Sequence, residues 1–369
     1  MPRPHRRVLQ LLADCKTGRL GRVSYRCAQC AGEGKPALHH TNASCGNRHC
    51  PGCQTANNGQ WCVEQAKKLL PCEYFFVTFT IPDTLRQFVR SNQRLCYDAL
   101  MNAAAHALVV NMAKPKHCGV DTTGFTSVLH TFGRDMAYHP HMHVLIPGGG
   151  LTADGEWKSV PPTCMVPVKV LSRSFRIEFE RLVGERADAC GIDRSEFRKE
   201  FVSFSKPVGD GVATLKYLSR YLFRTAITNE RIVSIENGHV TFRYRPSDKP
   251  TERTMRLPAF KFLHRFLQHV LPRGFHRVRH YGFLSRRSNI DLDELRRLIV
   301  TERSAYDADM ELEEWTVPKI FCTTDSGPKC PTCGSVLTFE RFTRIRPPPL
   351  ERRRHSQPRR NNRPQRANL

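Results

Sequence analysis

The sequence predicts an α+β protein: an antiparallel sheet carrying helices, preceded by a small zinc-ribbon module and followed by a basic C-terminal region. Three observations predict it. Strand-like runs recur at residues 74–81, 125–132 and 138–146, with helical spacing between and after them. Six of the 15 cysteines stand in C-x-x-C pairs, and Lys plus Arg outnumber Asp plus Glu by 58 to 34.

Residues up to about Leu70 hold seven cysteines with scattered Gly and Asn, and too few apolar side chains for an independent core, so a metal is expected to replace one. The run Tyr74 to Ile81 reads as a buried strand that Pro82 ends, and a second domain is expected to begin there. Leu85 to Ala113 has helical spacing. Phe125 to Phe132 and Tyr138 to Ile146 read as two strands joined by Gly133-Arg134-Asp135, and Gly148-Gly149-Gly150 stops the second. Val170 to Ala189 and Val212 to Ala226 read as amphipathic helices. Ile232 to Arg245 reads as a hairpin turning at Asn237-Gly238, since Asn-Gly tolerates the positive φ of a type I′ turn. Pro258 to Leu271 suggests a basic helix. The Arg-, Pro- and Asn-rich tail beyond Arg344 has almost no apolar residues and is expected to be disordered.

A formal net charge of +24 and a pI near 9.8 predict a field that attracts polyanions, with nucleic acid as the leading partner. C-x-x-C pairs in a long basic chain favour zinc in a reducing compartment over disulfides. Residues 1–12 have too short an apolar stretch for an export signal, and no run reaches the ~20 apolar residues of a membrane span. A cytoplasmic protein without membrane contact is therefore expected.

The segment His139-Pro140-His141-Met142-His143 carries the most chemistry. On a strand, histidines at spacing two project from one face while Pro140, Met142 and Val144 point to the other. Adjacent imidazoles suit a divalent metal, including Mg²⁺ where phosphate oxygens complete the shell. In Leu215 to Arg224, Leu215, Leu218 and Leu222 share one helical sector. Tyr217, Arg220, Tyr221 and Arg224 gather on the opposite side. A tyrosine pair at this spacing is by itself an ordinary helix surface; its arginines and the upstream histidine strand point to phosphate chemistry.

These segments resemble the HUH endonuclease superfamily, in which two histidines flank a hydrophobic residue and tyrosines follow on a helix. His141-Met142-His143 is the match. With Ser44-Cys45-Gly46-Asn47-Arg48-His49-Cys50-Pro51-Gly52-Cys53-Gln54, Tyr217-Leu218-Ser219-Arg220-Tyr221 and Leu271-Pro272-Arg273-Gly274-Phe275, the wording is similar to two-tyrosine rolling-circle insertion-sequence transposases over about Cys15 to Gly282. The resemblance implies an HUH palm within residues 71–230, after a zinc-binding, DNA-contacting module at 1–70. A basic region with a CxxC knuckle at 231–343 and the tail at 344–369 would follow. It implies a metal-dependent single-strand endonuclease and strand transferase acting on element ends and target DNA. Tyr217 and Tyr221 would form 5′-phosphotyrosine, Arg220 and Arg224 would bind phosphate, and His141 and His143 would hold Mg²⁺ or Mn²⁺. For the third ligand, His130 on the preceding strand is favoured by analogy with related relaxases. His139 remains the alternative and Asp135 a weaker one.

Cys27-x-x-Cys30 and Cys50-x-x-Cys53 have the spacing of a tetrahedral structural zinc ribbon and are expected to share one zinc. Cys15, Cys45 and His49 are left for a second site, with His5 a conceivable member. Cys330-Pro331-Thr332-Cys333 has only Cys322 nearby and reads as half a site or a remnant. Two further functions stay open at this point. A replication initiator or relaxase of the same superfamily would share the nick, whereas a non-catalytic zinc regulator would leave the histidine strand and the Tyr/Arg face unexplained.

Overall fold

In a computed structural model of the chain, the described residues are 1–53, 64–161, 163, 165–209, 226–246, 251–306 and 328–343. The expected helix bearing Tyr217, Arg220, Tyr221 and Arg224 lies outside them, as do Cys322 and the tail beyond Arg344. In chain order the elements are α1 (Arg3–Asp14), β1 (Arg22–Arg26), α2 (Ala28–Gly32), β2 (Leu38–Asn42), β3 (Tyr74–Thr80), α3 (Arg86–Ser91), α4 (Gln93–Met112), β4 (Phe125–Phe132), β5 (Tyr138–Pro147), β6 (Gly149–Leu151), β7 (Trp157–Ser159), α5 (Val168–Ala189), β8 (Val202–Pro207), β9 (Ile232–Glu236), β10 (His239–Tyr244), β11 (Arg253–Pro258), α6 (Ala259–Leu267), β12 (Val278–Tyr281), α7 (Leu292–Tyr306) and β13 (Thr338–Thr343). The chain divides into two compact units, one of residues 1–13 and 45–326, the other of 14–44 and 327–369. This division differs from the boundaries expected from sequence, because the second unit joins two segments far apart in the chain.

The larger unit is built on a five-stranded sheet ordered β12-β4-β5-β3-β8, with every neighbouring pair antiparallel. Strand alternation sorts its side chains to two faces. Phe75, Val77, Phe79, Leu129, Met142, Val144 and Ile146 join the main core with α4 and α5 residues such as Leu100, Leu108, Phe175 and Phe179. Tyr74, Phe76, Val128 and Leu145 point the other way and pack against Leu295 and Ile299 of α7. The histidines of β4 and β5 lie on this second face.

The helix expected over residues 85–113 is divided into α3 and α4 at Asn92, whose backbone leaves the helical region at φ −122° and ψ 43°. Its side-chain amide donates to Phe88 O at 3.0 Å and its carbonyl accepts from Arg186 at 2.6 Å, side-chain bonds that compete with the helical ladder. Gly148-Gly149-Gly150 does more than end β5: Gly149 and Gly150 enter β6, which pairs with β7. A Cβ on Gly150 would stand 2.5 Å from the carbonyl oxygen of Thr122, so only glycine fits there. The hairpin β9–β10 turns at Asn237 and Gly238 with φ of 48° and 70°, and its sheet packs with α6 and α1 around Phe242, Phe262 and Val8.

The smaller unit is a three-stranded antiparallel sheet ordered β13-β1-β2. Among the described residues its buried cluster consists of Cys27, Cys30, Cys330 and Leu337, with Tyr25, Ala37 and Cys333 partly buried against it, so the buried core is mostly thiol. Among the described residues no helix is long and apolar enough to cross a membrane.

Candidate metal centres and nucleic-acid site

Register places the histidines. His130 on β4 stands opposite His141 on β5, while His143 stands between Val128 on β4 and Thr78 on β3. All three project from the face opposite α4 and α5, since Met142 and Val144 are committed to the helical core. Their metal-binding nitrogens lie within 4.8 Å of one another. His130 and His143 are buried and His141 is half-buried.

The bonds behind the rings decide which nitrogen each presents. His141 Nδ1 donates to the carbonyl oxygen of His139 at 2.7 Å, and His143 Nδ1 lies 3.2 Å from Thr78 Oγ1. The two Nε2 atoms are consequently turned towards each other, 3.1 Å apart. Nitrogens each about 2.1 Å from one ion at a right angle are separated by about 3 Å, so the pair fits a shared divalent metal. Two neutral imidazoles with Nδ1 donating would otherwise set lone pair against lone pair, a repulsion that a cation relieves. Thr78 and the His139 carbonyl are thus the groups that orient the ligands. The sequence gives no signal for Thr78, whose role comes from cross-strand register alone.

His139 is not in the three-histidine group, although its ring centroid is 5.0 Å from that of His141. Its side chain lines a separate cleft with Arg86, Asp135 and Tyr244, where burial and Arg86 depress its pKa. The Asp135 carboxylate accepts from Ala137 N at 3.0 Å in the β4–β5 turn and is likewise outside the group.

The cysteines group differently from the expected ribbon. Cys27 and Cys30 do not join Cys50 and Cys53; they meet Cys330 and Cys333, with all four sulfurs within 4.8 Å of one another. The reason is the β1–β13 pairing. Arg26 opposite Thr338 brings the knuckle that follows β1 beside the knuckle that precedes β13. Sulfur separations of 3.5 Å for Cys27–Cys333 and 3.7 Å for Cys30–Cys330 suit sulfurs about 2.3 Å from a tetrahedral zinc, which stand about 3.8 Å apart. A hydrogen bond from Ser335 pulls the Cys27 thiol down to about 6, whereas burial pushes Cys30 up. Four adjacent thiols ionise together only around a cation. The Cys330 knuckle, which reads in the sequence as half a site, therefore has its partners in Cys27 and Cys30.

In the larger unit Cys45, Cys50 and Cys53 gather, with Cys45 and Cys53 sulfurs 3.6 Å apart. Cys15 lies in the smaller unit. His49 and His5 are in no cysteine group among the described residues. His49 is buried against Phe266, with ring centroids 6.0 Å apart, and lines a cavity with His130.

Residues 124–290 match the family described as "Putative transposase", and residues 1–81 match the "Transposase zinc-binding domain". The chain is 36% identical over 370 residues to the "Putative transposase y4qJ" of Sinorhizobium fredii, covering 93% of this chain and 91% of that one. It is 29% identical over 300 residues to the transposase for insertion sequence element IS801 of Pseudomonas savastanoi pv. phaseolicola, covering 76% of this chain and 70% of that one. No solved structure matches it. The likeness runs over nearly the full length of a transposase, and the matched central segment holds the histidine strand and both tyrosines. The chain therefore belongs to the two-tyrosine insertion-sequence transposases of the HUH endonuclease superfamily, with a zinc-binding domain at its amino terminus.

Proposed function

We propose that this transposase nicks and rejoins single-stranded DNA in rolling-circle transposition through a 5′-phosphotyrosine intermediate. The observation that carries the reading is the facing pair of His141 and His143 Nε2 atoms with His130 beside them on one sheet face. These three side chains would hold Mg²⁺ or Mn²⁺, which when bound acts as a Lewis acid on the scissile phosphate. Tyr217 or Tyr221 supplies the nucleophile. As the tyrosine oxygen bonds to phosphorus, the phosphorus bond to the 3′ oxygen breaks and the leaving strand ends in a 3′-hydroxyl. The phosphotyrosine keeps the energy of the broken ester, so a later 3′-hydroxyl reverses the step and joins strands without ATP.

Arg220 and Arg224 accompany the tyrosines and neutralise phosphate charge. Ala226, shortly after Arg224, lines the same cavity as His130, which supports delivery of the tyrosine segment to the histidine face. For structural zinc, we infer one ion at Cys27, Cys30, Cys330 and Cys333 and another using Cys45, Cys50 and Cys53.

Incubating the protein with a labelled single-stranded element end tests the reading. A covalent adduct is expected with Mg²⁺ or Mn²⁺, and none when both are omitted while the structural zinc is retained. His141→Ala and His143→Ala should lose the adduct while largely retaining DNA binding, because affinity comes from many Lys and Arg contacts to phosphate. Metal-dependent nicking that persists in both variants would refute it.

A further inference from the structure

A second feature of the histidine face has a chemistry of its own. Beside the three-histidine group is a narrow cavity of about 20 Å³ lined by Arg48, His49, His130, Thr131, His269 and Arg277 among apolar walls. His130 belongs to both, so the cavity begins where the metal centre ends. Among the described residues that line it there is no carboxylate. Nη1 of Arg48 is buried and has no hydrogen-bond partner among the described residues. Burial holds the Arg277 guanidinium down at about 10, with the like charge of Arg48 adding to it.

Burial depresses His269 to about 4, so its ring contributes shape but no charge. His269 is fixed at both nitrogens, Nδ1 3.3 Å from Thr131 Oγ1 and Nε2 donating to Met136 O at 3.1 Å. The positive charge therefore resides on two half-buried guanidiniums lining one cavity. The buried Nη1 donor of Arg48 is costly to leave unsatisfied, and an anionic oxygen would satisfy it. Size selects the anion: a space of about 20 Å³ takes one oxygen-sized group and excludes a base.

Resting on the single-strand reading above, we propose that Arg48 and Arg277 form a socket for a non-bridging oxygen of a DNA backbone phosphate, a neighbour of the scissile phosphate at His130, His141 and His143. A phosphate held there fixes the strand on the sheet face independently of the metal. Planar guanidiniums make directed charge-assisted bonds to phosphate oxygens and so position the strand as well as attract it. Arg48 comes from the cysteine-rich segment and Arg277 from the approach to β12, so the socket ties the zinc-binding region to the catalytic sheet within the larger unit.

The test uses the full chain with its structural zinc retained and with Mg²⁺ and Mn²⁺ omitted, so that no cleavage occurs, and fluorescein-labelled single-stranded element ends bearing one neutral methylphosphonate linkage at successive positions. In the wild type, neutralising one linkage near the cleavage site should weaken binding about tenfold. Arg48→Gln and Arg277→Gln should each bind the unmodified strand about tenfold more weakly, and that linkage should become silent in them. His141→Ala should keep the wild-type sensitivity. Losses spread evenly over all linkages, or variants that bind every strand as the wild type does, would overturn the socket. Should Arg277→Gln fail to fold, Arg48→Gln carries the test. A lower melting temperature for Arg48→Gln with an unchanged linkage profile would mark a structural arginine and also overturn it. A silent linkage without any adduct in metal would retain the socket and reject the proposed chemistry; an adduct without a sensitive linkage would do the reverse.

Discussion

Replacing Cys330 and Cys333 by serine should unfold a sheet whose first strand lies some three hundred residues earlier in the chain. The substitutions take two of the four sulfurs from the group that includes Cys27 and Cys30. What remains to hold the smaller unit is slight. Among the described residues Leu337 is the one aliphatic side chain in its buried cluster, and burying a leucine stabilises by about 2 kcal/mol. A structural zinc contributes ~10–16 kcal/mol in small metal-folded domains, several times more. Loss of zinc should therefore release the β1–β13 pairing. Two measurements check this. The zinc content should fall from two ions per chain, one for each cysteine group, to one. Hydrogen exchange at Arg22–Arg26 should rise to the rate of an open strand while β3, β4 and β5 keep their protection. A double variant with unchanged zinc content and a still-protected β1 would refute the regrouping.

Thr78→Val should weaken activation by Mn²⁺ roughly ten- to a hundredfold in metal concentration, because His143 loses the partner on its Nδ1, while the rate at saturating metal changes little. An unchanged metal titration would mean that Thr78 does not orient the ligand. His269 should make the larger unit acid-sensitive. Its folded pKa, about 4, lies below the ordinary 6.5, so the unfolded chain takes up the proton first. Stability from this residue is complete above about 6.5 and is lost as pH falls towards about 4, by about 3 kcal/mol in all. Melting curves of wild type and His269→Gln should converge over that window; parallel curves would contradict the assignment.

Periodicity made much of the sheet legible. Residues 74–81, 125–132 and 138–146 read as strands because their neighbours on both faces are apolar, and Asn237-Gly238 announced its own turn. The alternation that set Met142 and Val144 against the helices also set His141 and His143 on one face. Short edge elements were not legible. In β8, Val202 and Phe204 are exposed, so the strand lacks the burial pattern of β3. Register was beyond reach as well. His130 and His139 remained alternatives in the sequence because only strand pairing tells which imidazole nitrogen approaches His141. The cysteine pairs showed the same limit. Spacing identifies a knuckle but not its mate, and Cys27 and Cys30 find theirs through a strand pairing from Arg26 to Thr338. Arg48 and Arg277 carried no local pattern to join them.

The most direct measurement is the identity of the residue joined to DNA. After reaction with a single-stranded element end and Mn²⁺, peptide mapping by mass spectrometry should find the 5′-phosphate on Tyr217 and on Tyr221. The two are about 6 Å apart along an expected helix and act in turn. Each single Tyr→Phe variant should then retain some adduct but fail to complete transfer, and the double variant should form none. A phosphotyrosine confined to one position, with full transfer by the other's Phe variant, would contradict the alternating mechanism. A double variant that still becomes covalently attached would contradict the tyrosine chemistry altogether.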